Sequence, residues 1–331
     1  ATTYAPFLAN ALARRGTLFA NVMIDALKGA PTSHAEGTLN LLTGRYDGYR
    51  KVGARGLAPL LEPTAPTLFE HIRRTHALAA HEVLLVNGED RPQEEYLTYG
   101  GHAHYGVAFR SEIIGLYRFK LHRLQRVLAE GRAPAPELEA ARRELVELRS
   151  HDYRGTAGEE SAPLAAFWEK WRGHYGDSGL RHPRGDRLLT ELALWAMREL
   201  RPRLMMINYQ DPDYVHWGNA THYTRAIAVI DQGLERLDAA IAADPFYRGR
   251  TVMVVVPDCG RDANPLMAVP YQHHFNSRTA HEIFALFVGA GIAAARTVAT
   301  AVDQTSVAAT IGALTSVTVG AEGRVLSEIA P

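Results

Sequence analysis

From Tyr209 to Gly218 the chain reads Tyr-Gln-Asp-Pro-Asp-Tyr-Val-His-Trp-Gly, directly behind the apolar run Leu204–Asn208. Asp211, Asp213 and His216 fall within six residues of one another. Carboxylate oxygen mixed with neutral imidazole nitrogen is a donor set that suits a divalent transition cation, although Asp and Pro also make ordinary turns. A second cluster follows the run Thr251–Val256: Pro257-Asp258-Cys259-Gly260-Arg261-Asp262, then Gln272-His273-His274-Phe275. Asp258, Cys259, His273 and His274 offer further ligands; the plain alternatives are a small core cysteine and a surface pair of histidines. The third feature is Ala30-Pro-Thr-Ser-His-Ala-Glu-Gly, opening an apolar helical stretch. A hydroxyl there, Thr32 or Ser33, meets the free amides and dipole that favour a phosphate or an ionising oxygen. The same residues also suit an N-cap, with Glu36 completing a capping box. His102 and His104, in Gly-Gly-His-Ala-His-Tyr-Gly, alternate as on an extended segment and would point the same way, towards a substrate or into a solvated loop. Arg45 and Arg261 could grip phosphate bidentately or pair with surface acids.

These groups need strands to bring them together. Apolar β-type runs at His81–Asn87, Arg203–Tyr209, Thr251–Val256 and Ile283–Val288 alternate with helical stretches. One of these, Tyr223–Ala243, aligns Ile227, Ile230, Leu234, Leu237 and Ile241 on one face. The alternation predicts an α/β fold, a three-layer α/β/α sandwich with a mostly parallel central sheet. Ligands in such folds gather beyond the carboxyl ends of strands, so both polar clusters should open on one edge. Upstream, Pro6–Arg15 has helical spacing and Thr17–Val22 is strand-like. The middle of the chain, 91–187, reads as a helical insertion or cap upon a core made of 1–90 and 188–331. It comprises a helical Arg110–Gly131, a Pro-Ala-Pro break at 134–136, a charged helix Glu137–Arg149 and a loop-like tract to Gly185 interrupted by the aromatic Phe167–Trp171.

Composition narrows the function classes. The 331 residues are 47% hydrophobic and 22% charged, the balance of an ordinary folded protein. Lys+Arg and Asp+Glu number 36 each, so no net field is available to hold nucleic acid, which is excluded as a partner. One cysteine permits no intrachain disulfide and no CxxC site. The longest apolar stretch, Ile283–Ala295, contains two glycines and is shorter than the roughly 20 residues of a membrane span. No basic-then-apolar leader precedes Pro6, as expected where a signal peptide is absent or removed. Oligomeric state is left open.

The three motifs, in this order and over most of the chain, resemble the alkaline phosphatase superfamily of metal-dependent hydrolases, transferases and phosphomutases. Pro6–Val22 resembles its first helix and following strand. Thr32-Ser-His-Ala-Glu-Gly-Thr-Leu-Asn40 is similar to the nucleophile segment of lipoteichoic acid synthases, and more loosely to that of cofactor-independent phosphoglycerate mutases. Asp213-Tyr-Val-His216-Trp-Gly218 is similar to the superfamily's Asp…His-x-Gly element, Pro257-Asp-Cys-Gly-Arg261 to its Asp-His-Gly-Arg element, His273 or His274 to its final metal histidine, and Val302–Ile311 to its terminal helix.

The resemblance implies Thr32 as nucleophile, with Ser33 as the alternate, and a phosphoryl-threonine intermediate. It implies two divalent cations, zinc or manganese, about 4 Å apart. Asp211 or Asp213, His216, and His273 or His274 would hold one; Asp258 and Cys259 would hold the other beside Thr32. The substrate would be a small-molecule or lipid-linked phosphate ester, met outside the cytoplasm. Sulfatase chemistry is disfavoured, because Ser33 is followed by His-Ala-Glu-Gly rather than x-Pro-x-Arg. Two departures favour an alternative, a catalytically degraded homologue serving as a binding unit. Cys259 stands where the superfamily has histidine, and the expected first strand ending in aspartate is not in the chain, Asp25 lying only seven residues before Thr32.

Overall fold

The computed structural model describes residues 3–25, 29–56, 58–89, 91–102, 105–155, 158, 160–176, 184–216, 218–262, 266 and 271–331. Near the start of the chain, irregular helical turns over Leu8–Leu12 and Ala13–Arg15 replace the expected regular helix and lead into β1 (Gly16–Met23). Helix α1 (His34–Thr43), the hairpin β2 (Tyr49–Arg55) and β3 (Ala58–Pro63), α2 (Leu68–Thr75) and β4 (Val83–Asn87) follow. Next come β5 (Glu112–Ile114), α3 (Leu116–Glu130), α4 (Ala135–Arg149), α5 (Ala162–Tyr175) and α6 (Gly185–Glu199). The last part comprises β6 (Leu204–Asn208), α7 (Ala220–Ala243), β7 (Val252–Val255), the single turn α8 (Arg278–His281), β8 (Glu282–Gly289), β9 (Arg296–Val298), β10 (Val302–Asp303) and α9 (Ser306–Leu314).

The alternating pattern gives the α/β fold it predicts. Strands β5, β4 and β6 form a parallel sheet, and β1 pairs in parallel with β9 and β10. Strand β8 lies antiparallel between β1 and β7. The period of two along β4 divides its side chains between two faces. Leu84 and Val86 pack with Phe119, Trp168, Trp171 and Leu192 of α3, α5 and α6, while Val83 and Leu85 pack with Leu42 of α1 and Phe69 of α2. Strand β8 does the same: Leu286 and Val288 meet Leu234 of α7, and Ala285 and Phe287 meet Val307 of α9. Helices thus cover both sides, which makes three layers.

Segment 91–187 is packed into this core. The expected helix from Arg110 starts late because Glu112–Ile114 pairs with Leu84–Val86 of β4, where sheet pairing overrides local preference. The Pro-Ala-Pro sequence opens α4 instead of breaking a helix, since proline is tolerated in the first turn, where its missing N–H has no helical partner. The tract expected to be loop-like holds α5, capped by Ser161, whose hydroxyl accepts from the Leu164 amide. Its buried face is Leu164, Phe167, Trp168 and Trp171, at helical spacing.

Candidate metal centre

Strand β6 runs directly into a tight helical turn, Asp211–Val215, with Pro212 in its first turn. The turn puts Asp213 and His216 one above the other. Gly218, at φ +92°, stops it, and Asn219 caps α7 by accepting from the His222 amide. On the other side, Ser33 is extended, and His34 is the first residue of α1. Helix α1 lies tight against the loop after β7. A Cβ on Gly37 would fall 2.9 Å from the carbonyl carbon of Asp258 and closer still to its oxygen. Gln304 fixes the same loop, donating to the Asp258 carbonyl at 2.8 Å while its own Oε1 accepts from Asn40.

Three imidazoles converge on one oxygen. Around Asp213 Oδ1 lie His216 Nε2 at 2.6 Å, His34 Nε2 at 2.7 Å and His273 Nε2 at 3.4 Å. Ligand atoms of all four residues lie within 4.8 Å of one another. His273 is fully buried and donates Nδ1–H to the Thr32 carbonyl at 2.7 Å, which leaves a lone pair on Nε2. That nitrogen and His34 Nε2 are buried without a hydrogen bond; His34 and Asp213 face each other as an ion pair at 2.7 Å. The buried lone-pair nitrogen of His273 facing a carboxylate, with the other ring nitrogen anchored on a carbonyl, fits a transition cation. A second group, His34, Asp258 and Cys259, shares His34, whose Nδ1 is 2.7 Å from Asp258 Oδ2.

Charge in the centre is tightly balanced. Burial alone would raise the Asp213 pKa, but the close approach of the His273 and His34 rings and the charges of His34 and Arg91 hold it far below the usual carboxylate range. Burial pulls His34 down, and the charge of Asp258 and contacts with both carboxylates outweigh it, raising the ring to about 10. His34 therefore carries a proton at neutral pH and bridges Asp213 and Asp258. His274 is pushed down to about 4 by burial and by the neighbouring His273, His216 and His34. Burial lifts the Cys259 thiol well above its ordinary range, helped by Asp258, and the residue packs among Phe19, Ile283 and Phe287.

Asp213, His216 and His273 therefore come together, and Asp258 and Cys259 stand beside them through His34. Asp211 does not join them. It exchanges bonds with Asp186 at the start of α6, and a Cβ on Gly185 would meet its carboxylate at 2.5 Å. Of the two aspartates left open by the sequence, Asp213 is the one in the cluster. Likewise His274 lies outside the ligand group, stacking on His216 with centroids 5.9 Å apart. The buried Thr32 hydroxyl donates to the His273 carbonyl, and Ser33 Oγ to Glu36. The side chain bonded to Asp258 from this segment is His34, where the resemblance led to the expectation of Thr32. His102 lies beside Gly100, with its ring edge-on to Tyr105 at 6.5 Å between centroids, away from the cluster; His104 is outside the described residues. Arg261 ties the site loops together through the carbonyls of Pro212 and Tyr271 and through Asp213 at 3.3 Å. Arg45 is paired with Asp47 at the surface.

Sequence reading missed His34, although it lies inside the motif, because a histidine after Ser-Thr capping residues carries no signal of its own. It also missed Arg91, which holds Asp213 Oδ2, and the buried Glu94 behind it, to which Asn208 of β6 donates. These come from a stretch with no motif.

No family model matches the chain, and no curated protein matches it. Solved structures do. The phosphonate monoester hydrolase of Agrobacterium radiobacter superposes with a TM-score of 0.56 at 12% identity, covering 99% of this chain and 73% of that one. For the alkaline phosphatase PafA the TM-score is 0.53 at 10% identity, covering 97% and 93%. For a sulfatase from Pseudoalteromonas sp. it is 0.51 at 13% identity, covering 95% and 62%. The chain has the fold these hydrolases share.

Proposed function

We propose that this chain, built on the alkaline-phosphatase fold, is a metal-dependent hydrolase or transferase acting on a phosphate ester. The observation that carries the reading is the convergence of His34, His216 and His273 on Asp213 Oδ1, with two of their nitrogens buried and unbonded. Three nitrogens and one oxygen suit zinc better than manganese, which prefers oxygen donors. Asp258 and Cys259 are the candidates for a second, weaker position sharing His34. A cation held there supplies Lewis acidity to the ester's phosphoryl oxygens.

The chain's own residues do the rest. Thr32 seats His273 by a two-way clasp, its hydroxyl on the His273 carbonyl and its carbonyl on the ring. Arg91 fixes the second oxygen of Asp213, leaving Oδ1 for the cluster. The first-turn amides of α1 lie at the same edge, where they favour an anionic group. The kinship in fold with a phosphatase and a phosphonate monoester hydrolase supports phosphorus esters, small or lipid-linked, as the substrate class. Among the described residues no helix is long and apolar enough to cross a membrane.

The test is direct. The zinc-loaded chain should cleave p-nitrophenyl phosphate or its diester, and His216→Ala should lose both the bound zinc and the turnover. The core-like packing of Cys259 favours a second reading, a binding unit without catalysis. Stoichiometric zinc with no turnover of phosphate, phosphonate or sulfate esters would establish that reading instead.

A further inference from the structure

We propose that the cavity beside the metal centre, at the carboxyl ends of β5, β4 and β6, receives the alcohol half of the ester, and that this alcohol is a small uncharged polyol. The inference deepens the phosphate-ester reading above and rests on it.

The cavity lies where the three parallel strands hand over to the segments behind them, the edge at which ligands of such sheets collect. Its volume is about 150 Å³, and a cavity of that size takes a six-membered ring. Leu116, the first residue of α3, and Leu188 and Leu189 of α6 give it apolar walls. Gln210 and Tyr214 also line it. They belong to the tight turn that carries Asp213, whose amide donates to the Gln210 carbonyl at 2.9 Å. Consecutive Cα atoms are about 3.8 Å apart, so an ester whose phosphoryl group is held beside Asp213 can reach the cavity with its alcohol. Tyr214 is 55% exposed and the Arg184 side chain 51%, which leaves the mouth open to solvent.

The lining selects the ligand. Gln210 is 7% exposed, and its Oε1 is buried with no hydrogen-bond partner among the described residues. The carboxamide packs over Gly88, in space that a Cβ on that residue would take. An unpaired buried amide is costly. A hydroxyl completes it in either orientation, because it can donate to Oε1 or accept from Nε2. Glu89 lies on the same wall, with its two oxygens held by Lys120 and Arg184. That carboxylate opposes a second anionic group on the ligand, and the two cations oppose an ammonium group, so a neutral ligand fits. A compact polyol brings hydroxyls to Gln210 and Glu89 and C–H faces to the leucines. A lipid chain would instead bury both polar groups against hydrocarbon.

The experiment uses the full chain loaded with zinc and compares kcat/KM within two pairs of esters matched in shape: myo-inositol 1-phosphate against cyclohexyl phosphate, and glycerol 3-phosphate against propyl phosphate. In at least one pair the hydroxylated ester should be favoured on the order of tenfold or more. Gln210→Met, similar in size, should remove that preference. Gly88→Ala, which keeps Gln210 but pushes its flexible end out of place, should lower it as well. A ratio taken within one variant is insensitive to the general loss of folded or zinc-bound protein that a merely structural glutamine would cause. Saturation-transfer NMR with myo-inositol and with glycerol reads binding apart from turnover. Ratios near one in both pairs, or a preference that survives in both variants, would overturn the polyol pocket and leave ester cleavage standing. A parent chain that cleaves none of the four esters, yet shows a saturation-transfer signal that Gln210→Met abolishes, would refute the ester reading and keep the pocket. Neither cleavage nor transfer would overturn both.

Discussion

Gly37→Ala sets local preference against tertiary packing. In a helix interior, alanine is favoured over glycine by about 0.5–1 kcal/mol, so α1 by itself would gain. In the folded chain the added methyl has no room: it would lie 2.9 Å from the Asp258 carbonyl carbon and 3.2 Å from its Cβ. The obstacle is backbone, pinned by Gln304 and by the Gly260 amide on the Ala280 carbonyl, and it cannot rotate away as a side-chain tip would. Overpacking of this kind costs about 1–3 kcal/mol. The expected balance is a net loss of roughly 0.5–2 kcal/mol, the difference between the like ends of those two ranges. Urea unfolding followed by circular dichroism should show a lower midpoint at unchanged slope. Because α1 carries His34 and the displaced loop carries Asp258, zinc affinity should fall as well, by roughly tenfold if about 1.4 kcal/mol of the strain is relieved in the zinc-free chain. A Gly37→Ala protein as stable as the parent, with the same zinc affinity, would refute the close approach of α1 to the Asp258 loop and the geometry built on it.

Arg91→Gln frees the second oxygen of Asp213 and strips the buried Glu94 of its charge partner; zinc affinity measured by chelator competition should drop about 10–100-fold, as for other groups that orient a ligand. Because His34 is protonated at neutral pH, zinc binding should release roughly one proton, measurable by calorimetry in buffers of different ionisation enthalpy, and affinity should weaken as pH falls; zero release would contradict the bridging imidazolium. His122 lies between Glu160 and Glu169, and their bonds outweigh burial to raise its pKa. Its stabilisation is therefore complete below the unfolded value near 6.5 and is lost as pH rises through the folded value. His122→Gln should flatten that part of the unfolding-midpoint profile, and an unchanged profile would count against the pair.

The α/β layering was legible in the chain because buried strands and helices carry periods of two and 3.6 that need no knowledge of distant contacts. The regions that misread, the strand at Glu112–Ile114 and helix α5, are those where a neighbour, β4 or the aromatic core, decides the conformation. The candidate ligands were visible as residue types at strand ends, and the resemblance put them in order. Choosing among them was a tertiary matter. Asp211 and Asp213 differ by two positions along a tight turn, and that alone sends one to α6 and the other to three imidazoles. Thr32, Ser33 and His34 are consecutive, yet only the first helical residue projects between the two carboxylates. Side-chain direction over one turn depends on where a helix begins and what it packs against, and those are set by Gly37 against Asp258, 221 positions away in the chain.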